Sequence, residues 1–182
     1  MNATWIWSGE NRISEFAFDF TPTKRIRRVD INVSAETHYR LRINGRFAGT
    51  GPAPVGGDWL PLDKPPYYFY DTVTWQPEAG ETTIAIRALV IPNRQFGFDV
   101  GFGRPGFFLR ATVEYADGTR EAFGTSQAWR ARIATEYAGP RDFDSRRLND
   151  ATSDWRAAEK IEDVWHAEPS NLPMRDEYDV FS

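Results

Sequence analysis

Hydrophobic and polar residues alternate with a period of two through most of this chain. Phe16, Phe18 and Phe20 share one face of a short segment, and Ile84 and Ile86 belong to a longer one. This alternation is typical of half-buried β-strands, because successive side chains of a strand point to opposite faces of its sheet. About nine or ten such segments, separated by Gly and Pro turns, predict an all-β fold. The expected architecture is an antiparallel two-sheet β-sandwich of the jelly-roll, galactose-binding-like type.

A β-hairpin is predicted where the alternation of residues 39–43 meets Asn44–Gly45 and resumes at Arg46. Both central positions of a type I′ turn need a positive φ, which Asn and Gly tolerate well. A segment rich in Gly and Pro follows over about 50–66, and it leads into four consecutive aromatic residues. A second unusual segment, over 93–106, combines Phe residues with Gly residues. These two aromatic segments are predicted to be long loops.

The composition limits what the chain can bind. Trp, Tyr and Phe make up 15% of the residues, enough for a large core and for rings that stack on sugars. The net charge of −4 argues against nucleic acid as a partner, since phosphate neutralisation needs a basic surface. The basic cluster 24–28 is predicted to be a solvated strand edge. The absence of Cys excludes disulfides and thiolate metal sites.

The chain divides into one domain and a tail. Residues 1–166 are predicted to form the sandwich, and residues 167–182 a linker or strap that leads out of it, because they lack periodicity. No apolar run reaches the ~18 residues that a membrane span requires, and no signal peptide is visible. The chain as written is therefore expected to be soluble and cytoplasmic. Just before the tail, a strand could begin at Asp154, or a helix face could be formed by Trp155, Ala158, Ile161 and Trp165.

Several short motifs follow one another in a definite order along roughly residues 3–166. They are Trp5-Ile6-Trp7, the hairpin Tyr39–Arg46, Gly51-Pro52, Tyr70-Asp71, Pro77–Ile86, Gly106–Leu109, Asp117-Gly118 and Ala128–Arg130. This order resembles the N-terminal β-sandwich domain of bacterial α-L-rhamnosidases, which are inverting glycoside hydrolases. Members of that family place catalysis on a separate (α/α)₆ barrel, which is absent from this sequence. The resemblance therefore implies a non-catalytic accessory domain of such an enzyme, serving carbohydrate binding or structural support.

Residues that could catalyse a reaction within this chain are sparse. An inverting glycosidase needs two carboxyl groups about 6.5–9.5 Å apart, but Glu114, Asp117 and Glu121 are most simply interpreted as solvated turn residues. His38 and His166 are far apart in sequence, and no Gly-x-Ser-x-Gly elbow, phosphate loop or His-x-x-x-His pair occurs. Enzyme activity is not expected of this chain alone.

Carbohydrate binding is the more specific hypothesis, with a rhamnose-containing glycan as the implied partner. A sugar needs an aromatic surface for its C–H face and fixed polar groups for its hydroxyls. If the fold brings both aromatic segments to one end of the sandwich, the predicted carbohydrate-binding residues are Trp59, Tyr67, Tyr68, Asp99 and Arg104. Two alternatives stay open. The aromatic side chains could only close the end of the sandwich, or they could dock a partner domain, such as the catalytic domain, without binding glycan.

No cofactor is expected to be required, although the resemblance implies that a calcium ion (Ca2+) could bridge the protein and sugar hydroxyls. Calcium takes six to eight oxygen ligands, usually from several neighbouring carboxylates. Asp99 is one candidate ligand, and the densest oxygen cluster consists of Asp142, Asp144, Asn149 and Asp150. Their spacing does not match an EF-hand loop, so the sequence leaves the metal site undetermined.

Overall fold

The computed structural model describes residues 3–36, 38–51, 67–92, 105–135, 154–161 and 166–169, with the backbone alone described for 67–69 and 166–169. These residues form thirteen β-strands. None of the described segments is a helix that could span a membrane. The strands are β1 (Ile6–Trp7), β2 (Ser14–Phe20), β3 (Ile26–Ala35), β4 (His38–Ile43), β5 (Arg46–Gly51), β6 (Tyr67–Trp75), β7 (Ile84–Ile91), β8 (Phe107–Tyr115), β9 (Arg120–Gly124), β10 (Arg130–Ile133), β11 (Arg156–Ala157), β12 (Glu159–Lys160) and β13 (His166–Pro169).

The strands build two sheets that pack face to face. The first sheet has the order β12-β1-β8-β3-β6-β13, and β9 also pairs with β8. The second sheet has the order β11-β10-β2-β7-β4-β5. The described pairs are antiparallel except β6 with β13, which run parallel. The predicted all-β, two-sheet sandwich is confirmed.

Aromatic rings from both sheets meet in the core between them. Phe16 of β2 stacks on Phe107 of β8 with ring centroids 5.1 Å apart. Phe20, at the end of β2, stacks on Phe123 of β9 at 4.5 Å. Such pairs contribute about 0.5–1.5 kcal/mol beyond the burial of their apolar area. The inward face predicted for Phe16 and Phe20 is therefore the one that joins the two sheets.

A β-bulge in β3 explains an irregularity in its sequence pattern. Ile26 and Val29 are both buried although they lie three positions apart, which strict alternation forbids. The pairing of β3 with β8 shifts register between Ile26 and Arg28. A bulge inserts one extra residue and so changes which positions face the core. After it, the strand alternates regularly through Ile31 and Val33.

The predicted hairpin is confirmed. Asn44 and Gly45 have positive φ angles of 51° and 78°, and they connect β4 with β5. The charged part near the C-terminus forms short strands rather than a helix, since β11 begins at Arg156 and pairs with β10. The proposed domain boundary at residue 166 falls at the beginning of β13. Residues 170–182 lie outside the described residues, so the division of the chain stays a prediction.

The basic cluster 24–28 is paired with acidic side chains. Arg27 Nη1 lies 2.8 Å from Glu114 Oε1, while Arg28 and Arg120 approach Glu114 Oε2 at 3.4 and 3.2 Å. The Glu114 side chain is only 10% exposed, so its interpretation as a solvated turn residue is wrong. A carboxylate this far from water loses most of its hydration, and the guanidinium groups of the three arginines replace it with ion pairs.

Candidate functional site

Both aromatic segments join strands at the same end of the sandwich, which we call the loop end. β5 ends at Gly51, opposite Tyr39 near the beginning of β4. β7 ends opposite His38, the first residue of β4. β8 begins at Phe107, opposite Ala35 at the end of β3. The strands that carry the two segments therefore satisfy the geometric condition on which the sequence prediction of a sugar site depends.

A buried hydrogen bond connects the two sheets at the loop end. The Tyr39 hydroxyl, on β4 of the second sheet, donates to Asp71 Oδ2, on β6 of the first sheet, over 2.6 Å. Tyr39 is 0% exposed and Asp71 is 4% exposed. Burial, and then the negative charge and hydrogen bond of Asp71, raise the pKa of Tyr39 well above its ordinary value. The phenol thus stays protonated and acts as a fixed donor to the carboxylate.

Gly51 leaves the space that the Tyr39–Asp71 pair occupies. A Cβ added at Gly51 would lie 2.1 Å from Asp71 Oδ2 and 3.0 Å from the Tyr39 hydroxyl oxygen. Such distances lie well inside van der Waals contact, so any side chain at this position would displace the carboxylate. Gly51 is the last residue of β5, and the first aromatic segment follows it directly. Its lack of a side chain therefore allows the Tyr39–Asp71 pair to form beside the end of β5.

A second set of hydrogen bonds fixes the other strand ends. The Thr50 hydroxyl donates to the carbonyl oxygen of Tyr39 over 2.8 Å and lies 3.0 Å from His38 Nε2. The Glu36 backbone N–H donates to the carbonyl oxygen of Gly106 over 3.0 Å. Thr50 and Glu36 are both buried. Together with the Tyr39–Asp71 pair, these contacts hold the attachment points of both aromatic segments in a fixed arrangement.

This arrangement is suited to positioning rather than to chemistry. Tyr39 is protonated and enclosed, and Asp71 accepts its hydrogen bond between the sheets. Neither group offers a base or nucleophile to a ligand at the surface. The loop end is therefore a rigid support for the strands to which the two segments are attached.

Comparison with known proteins relates the chain to an α-L-rhamnosidase. No family model matches the chain. The chain is similar to an α-L-rhamnosidase of Streptomyces avermitilis, with 27% identity over 156 residues. The predicted resemblance to α-L-rhamnosidases is confirmed. The alignment covers 80% of this chain but 14% of the rhamnosidase, so this chain spans only a small part of its relative's length.

Solved structures share the fold of this chain. A rhamnosidase of Bacillus sp. GL1 superimposes with a TM-score of 0.62 and 23% identity, over 96% of this chain and 20% of that one. A lectin of Pleurotus ostreatus in complex with GalNAc superimposes with a TM-score of 0.59 and 20% identity, over 87% of this chain and 41% of the lectin. Likeness at this level of identity establishes the sandwich fold.

The residues predicted to bind carbohydrate are only partly described by the structure. Tyr67 and Tyr68 are the first residues of β6, at the loop end, where their backbone pairs with His166 and Ala167 of β13. Trp59, Asp99 and Arg104 lie outside the described residues. The structure thus places the two tyrosine positions beside the attachment points, and the complete binding set stays a prediction.

The candidate calcium ligands also lie outside the described residues. This holds for Asp99 and for the predicted cluster Asp142, Asp144, Asn149 and Asp150. Within the part of the chain that the structure describes, no group of three or more acidic, His or Cys side chains could hold a metal ion. Calcium binding therefore stays untested.

Sequence reasoning missed the Tyr39–Asp71 pair, although a signal for it exists. Asp71, Val73 and Trp75 alternate along β6 and are all buried. A carboxylate at an inward-facing strand position needs a hydrogen-bond partner, because burial of an unpartnered polar group costs several kcal/mol. The pattern of β6 therefore indicated a partnered buried acid. It could not indicate that the partner is Tyr39, which comes from the other sheet.

Proposed function

We propose that the chain is a non-catalytic accessory domain of an α-L-rhamnosidase-like glycoside hydrolase, and that its loop end binds carbohydrate. The observation that carries this proposal is the convergence of both aromatic segments on strand ends fixed by the buried Tyr39–Asp71 hydrogen bond. The sandwich fold shared with a lectin that was solved in complex with GalNAc supports it.

Each predicted binding residue has a chemical role in this proposal. Trp59, Tyr67 and Tyr68 supply aromatic faces on which the C–H face of a sugar ring stacks. Asp99 accepts hydrogen bonds from hydroxyls, and Arg104 donates them. A rhamnose-containing glycan is the proposed ligand, and a calcium ion that bridges acidic side chains and sugar hydroxyls is part of the same proposal.

The expected affinity is weak. A stacked ring that buries about 100 Å² of apolar surface contributes roughly 2.5 kcal/mol before the costs of association. With the hydrogen bonds of its polar groups added, a site that stacks the sugar on one such ring reaches at best about millimolar affinity, near −4 kcal/mol. Weak binding is effective when the module is joined to an enzyme, because the linkage raises the local concentration of the substrate. The short coverage of the rhamnosidase relative, 14% of its length, fits a module within a larger polypeptide.

The test is an NMR titration of the chain with L-rhamnose, with calcium and then with a chelator. Saturable shifts of tryptophan indole signals are expected, and their loss with chelator would establish the metal. Trp59→Ala and Tyr68→Ala should abolish retention on a glycan affinity gel. Trp155→Ala is the matched control, because this ring contacts Arg130 and Arg132 on the second sheet. Unchanged retention of both loop-end variants would refute the assigned site.

A second candidate function is docking of a partner domain, and one observation favours it. Leu89 and Ile91 of β7 are partly exposed on the outer face of the second sheet, where they pack against buried Ile13 and Ala134. A contiguous exposed apolar patch marks a protein–protein contact, and these two side chains would form part of such a patch. Concentration-dependent sedimentation of the chain, abolished by Leu89→Asp and accompanied by no response to glycans, would support docking over sugar binding.

A further inference from the structure

The outer face of the first sheet carries an ordered array of polar side chains. In one row across the sheet, Arg110 of β8 lies opposite Asn32 of β3 in the strand register, and Asn32 lies opposite Thr72 of β6. In the adjacent row, Asp30 is flanked by Thr112 and by Thr74. Neighbouring strands lie about 4.8 Å apart, so each row offers hydrogen-bonding groups at a spacing close to the width of a sugar ring.

Hydrogen bonds within the array hold the central side chains in place. The Thr72 hydroxyl donates to Asn32 Oδ1 over 3.1 Å, and the Thr74 hydroxyl donates to Asp30 Oδ1 over 2.9 Å. Because the amide oxygen of Asn32 accepts from Thr72, its NH₂ group stays available as a donor toward solvent. The array is therefore ordered before any ligand arrives, which lowers the entropy cost of binding.

Arg110 is distinguished from the other arginines of this face. Arg27, Arg28 and Arg120 all pair with the Glu114 carboxylate. Arg110 is exposed, and no side chain among the described residues forms a hydrogen bond or ion pair with its guanidinium. Its fork of donors is thus available for a carboxylate in bidentate geometry.

An aromatic ring lies beside Arg110 on the same face. Phe108 precedes Arg110 by two positions on β8, about 6.8 Å along the strand, and is half-buried. The Trp5 ring packs against Phe108 with centroids 5.5 Å apart, which fixes the orientation of the Phe108 ring. A fixed and partly exposed ring next to a guanidinium combines an apolar surface with a charged donor.

The charge of this face is opposite to that of the whole chain. Among the described side chains of this face, Arg27, Arg28, Arg110 and Arg120 outnumber the carboxylates of Asp30 and Glu114 by two, whereas the chain has a net charge of −4. A ligand attracted to the excess positive charge must be anionic. One that also uses the hydroxyl and amide array must carry several hydroxyls.

We propose that the outer face of the first sheet is a second ligand site, which binds an acidic oligosaccharide with a carboxylate-bearing sugar. The carboxylate binds the Arg110 guanidinium, the C–H face of the sugar contacts Phe108, and hydroxyls of the same or the next sugar reach Asn32 and Thr72. The site lies on strand faces, not on the two aromatic segments. It therefore goes beyond the site proposed at the loop end and does not depend on it.

The test is calorimetric titration of the full chain with short oligogalacturonates at low and at raised salt. Saturable binding that weakens with salt is expected. Arg110→Gln should weaken it by at least about tenfold, because the charge-assisted hydrogen bonds between the guanidinium and the ligand carboxylate are lost. Arg87→Gln is the control, since Arg87 lies on the opposite sheet, where it pairs with Asp19; it should leave binding unchanged. Thermal melts verify that each variant is folded.

Matched ligands and variants decide the outcome. Methyl-esterified oligogalacturonates keep the sugar but lose the charge, so their binding should be much weaker than that of the free acids. Equal binding of the esters, equal binding of dextran sulfate, or unchanged binding by Arg110→Gln would each overturn the proposal. Trp59→Ala should leave oligogalacturonate binding intact, while Arg110→Gln should leave the L-rhamnose response intact. Failure of one site is therefore distinguishable from failure of the other.

Discussion

Replacing Tyr39 by phenylalanine is expected to destabilise the sandwich through one hydrogen bond between its sheets. The variant removes the hydroxyl that donates to Asp71 Oδ2 over 2.6 Å, in a place where Tyr39 is 0% and Asp71 4% exposed. Loss of a buried hydrogen bond to a charged group costs about 1.5–3 kcal/mol. The ring itself is retained, so the packing of the core changes little. We expect the free energy of unfolding at neutral pH to fall by about 2 kcal/mol.

The same bond predicts a dependence on alkaline pH. In the folded state, burial and the neighbouring Asp71 raise the pKa of Tyr39. In the unfolded chain the phenol ionises at about pH 10. A raised folded pKa gives stability that is fully present below the unfolded pKa. It is lost as the pH rises above about 10, at up to about 1.4 kcal/mol per pH unit. Tyr39→Phe has no such group to ionise, so its free energy of unfolding does not fall in this way. The difference in free energy of unfolding between the two proteins should therefore shrink by roughly 1.4 kcal/mol at about pH 11.

Urea unfolding followed by tryptophan fluorescence at several pH values measures both effects, provided that the m-value is the same for both proteins. The remaining tyrosines are common to both proteins, so their ionisation cancels in the difference. Tyr70→Phe is the control, because Tyr70 is half-buried on β6 and its hydroxyl forms no hydrogen bond with another described residue. The assigned role of the Tyr39–Asp71 bond is wrong if Tyr39→Phe is as stable as the original chain at neutral pH, or if the difference in their free energies of unfolding stays constant into the alkaline range.

Two further predictions concern the strand ends. Gly51→Ala should lower the free energy of unfolding by about 1–3 kcal/mol, because its Cβ would lie 2.1 Å from Asp71 Oδ2. The double variant with Tyr39→Phe should lose less than the sum of the two single losses, because both changes act on the same hydrogen bond. Strictly additive losses in urea unfolding would contradict this shared site. Asn44→Ala should cost about 2 kcal/mol, because the side chain donates to the Thr83 carbonyl and accepts from the Ala85 N–H while φ is 51°. Asn44→Gly loses the same two hydrogen bonds but avoids the penalty that alanine incurs at positive φ, so in thermal melts it should show about half of that loss.

Local features of the sequence predicted local features of the fold. The Asn44–Gly45 dipeptide indicated a turn with positive φ at both positions, and the structure has both. The alternation of Phe16 and Phe20 indicated an inward face, and both rings stack across the core. These signals succeed because a turn and the face of a strand depend on residues close together in the chain.

Partners that are distant in sequence could not be predicted in the same way. Asp71 was recognisable as a polar residue in a buried pattern, but its partner Tyr39 lies thirty-two positions away on the other sheet. Glu114 was interpreted as solvated because it precedes a turn, whereas Arg27 reaches it from β3, eighty-seven positions away. Both contacts depend on which strands become neighbours in the folded sandwich, and a single sequence does not encode that explicitly.

The two ends of the sandwich impose different constraints on evolutionary change. The hairpin turns at Asn44–Gly45 and Gly118, which have positive φ, lie at the end opposite the aromatic segments. An insertion there would shift the register of a hairpin and move core side chains to the wrong face. At the loop end, the Tyr39–Asp71 bond holds the strands independently of what connects them, and doubling a loop costs only about 0.6 kcal/mol of closure entropy. New specificities can therefore arise by exchange of the two segments, while the opposite end preserves the fold.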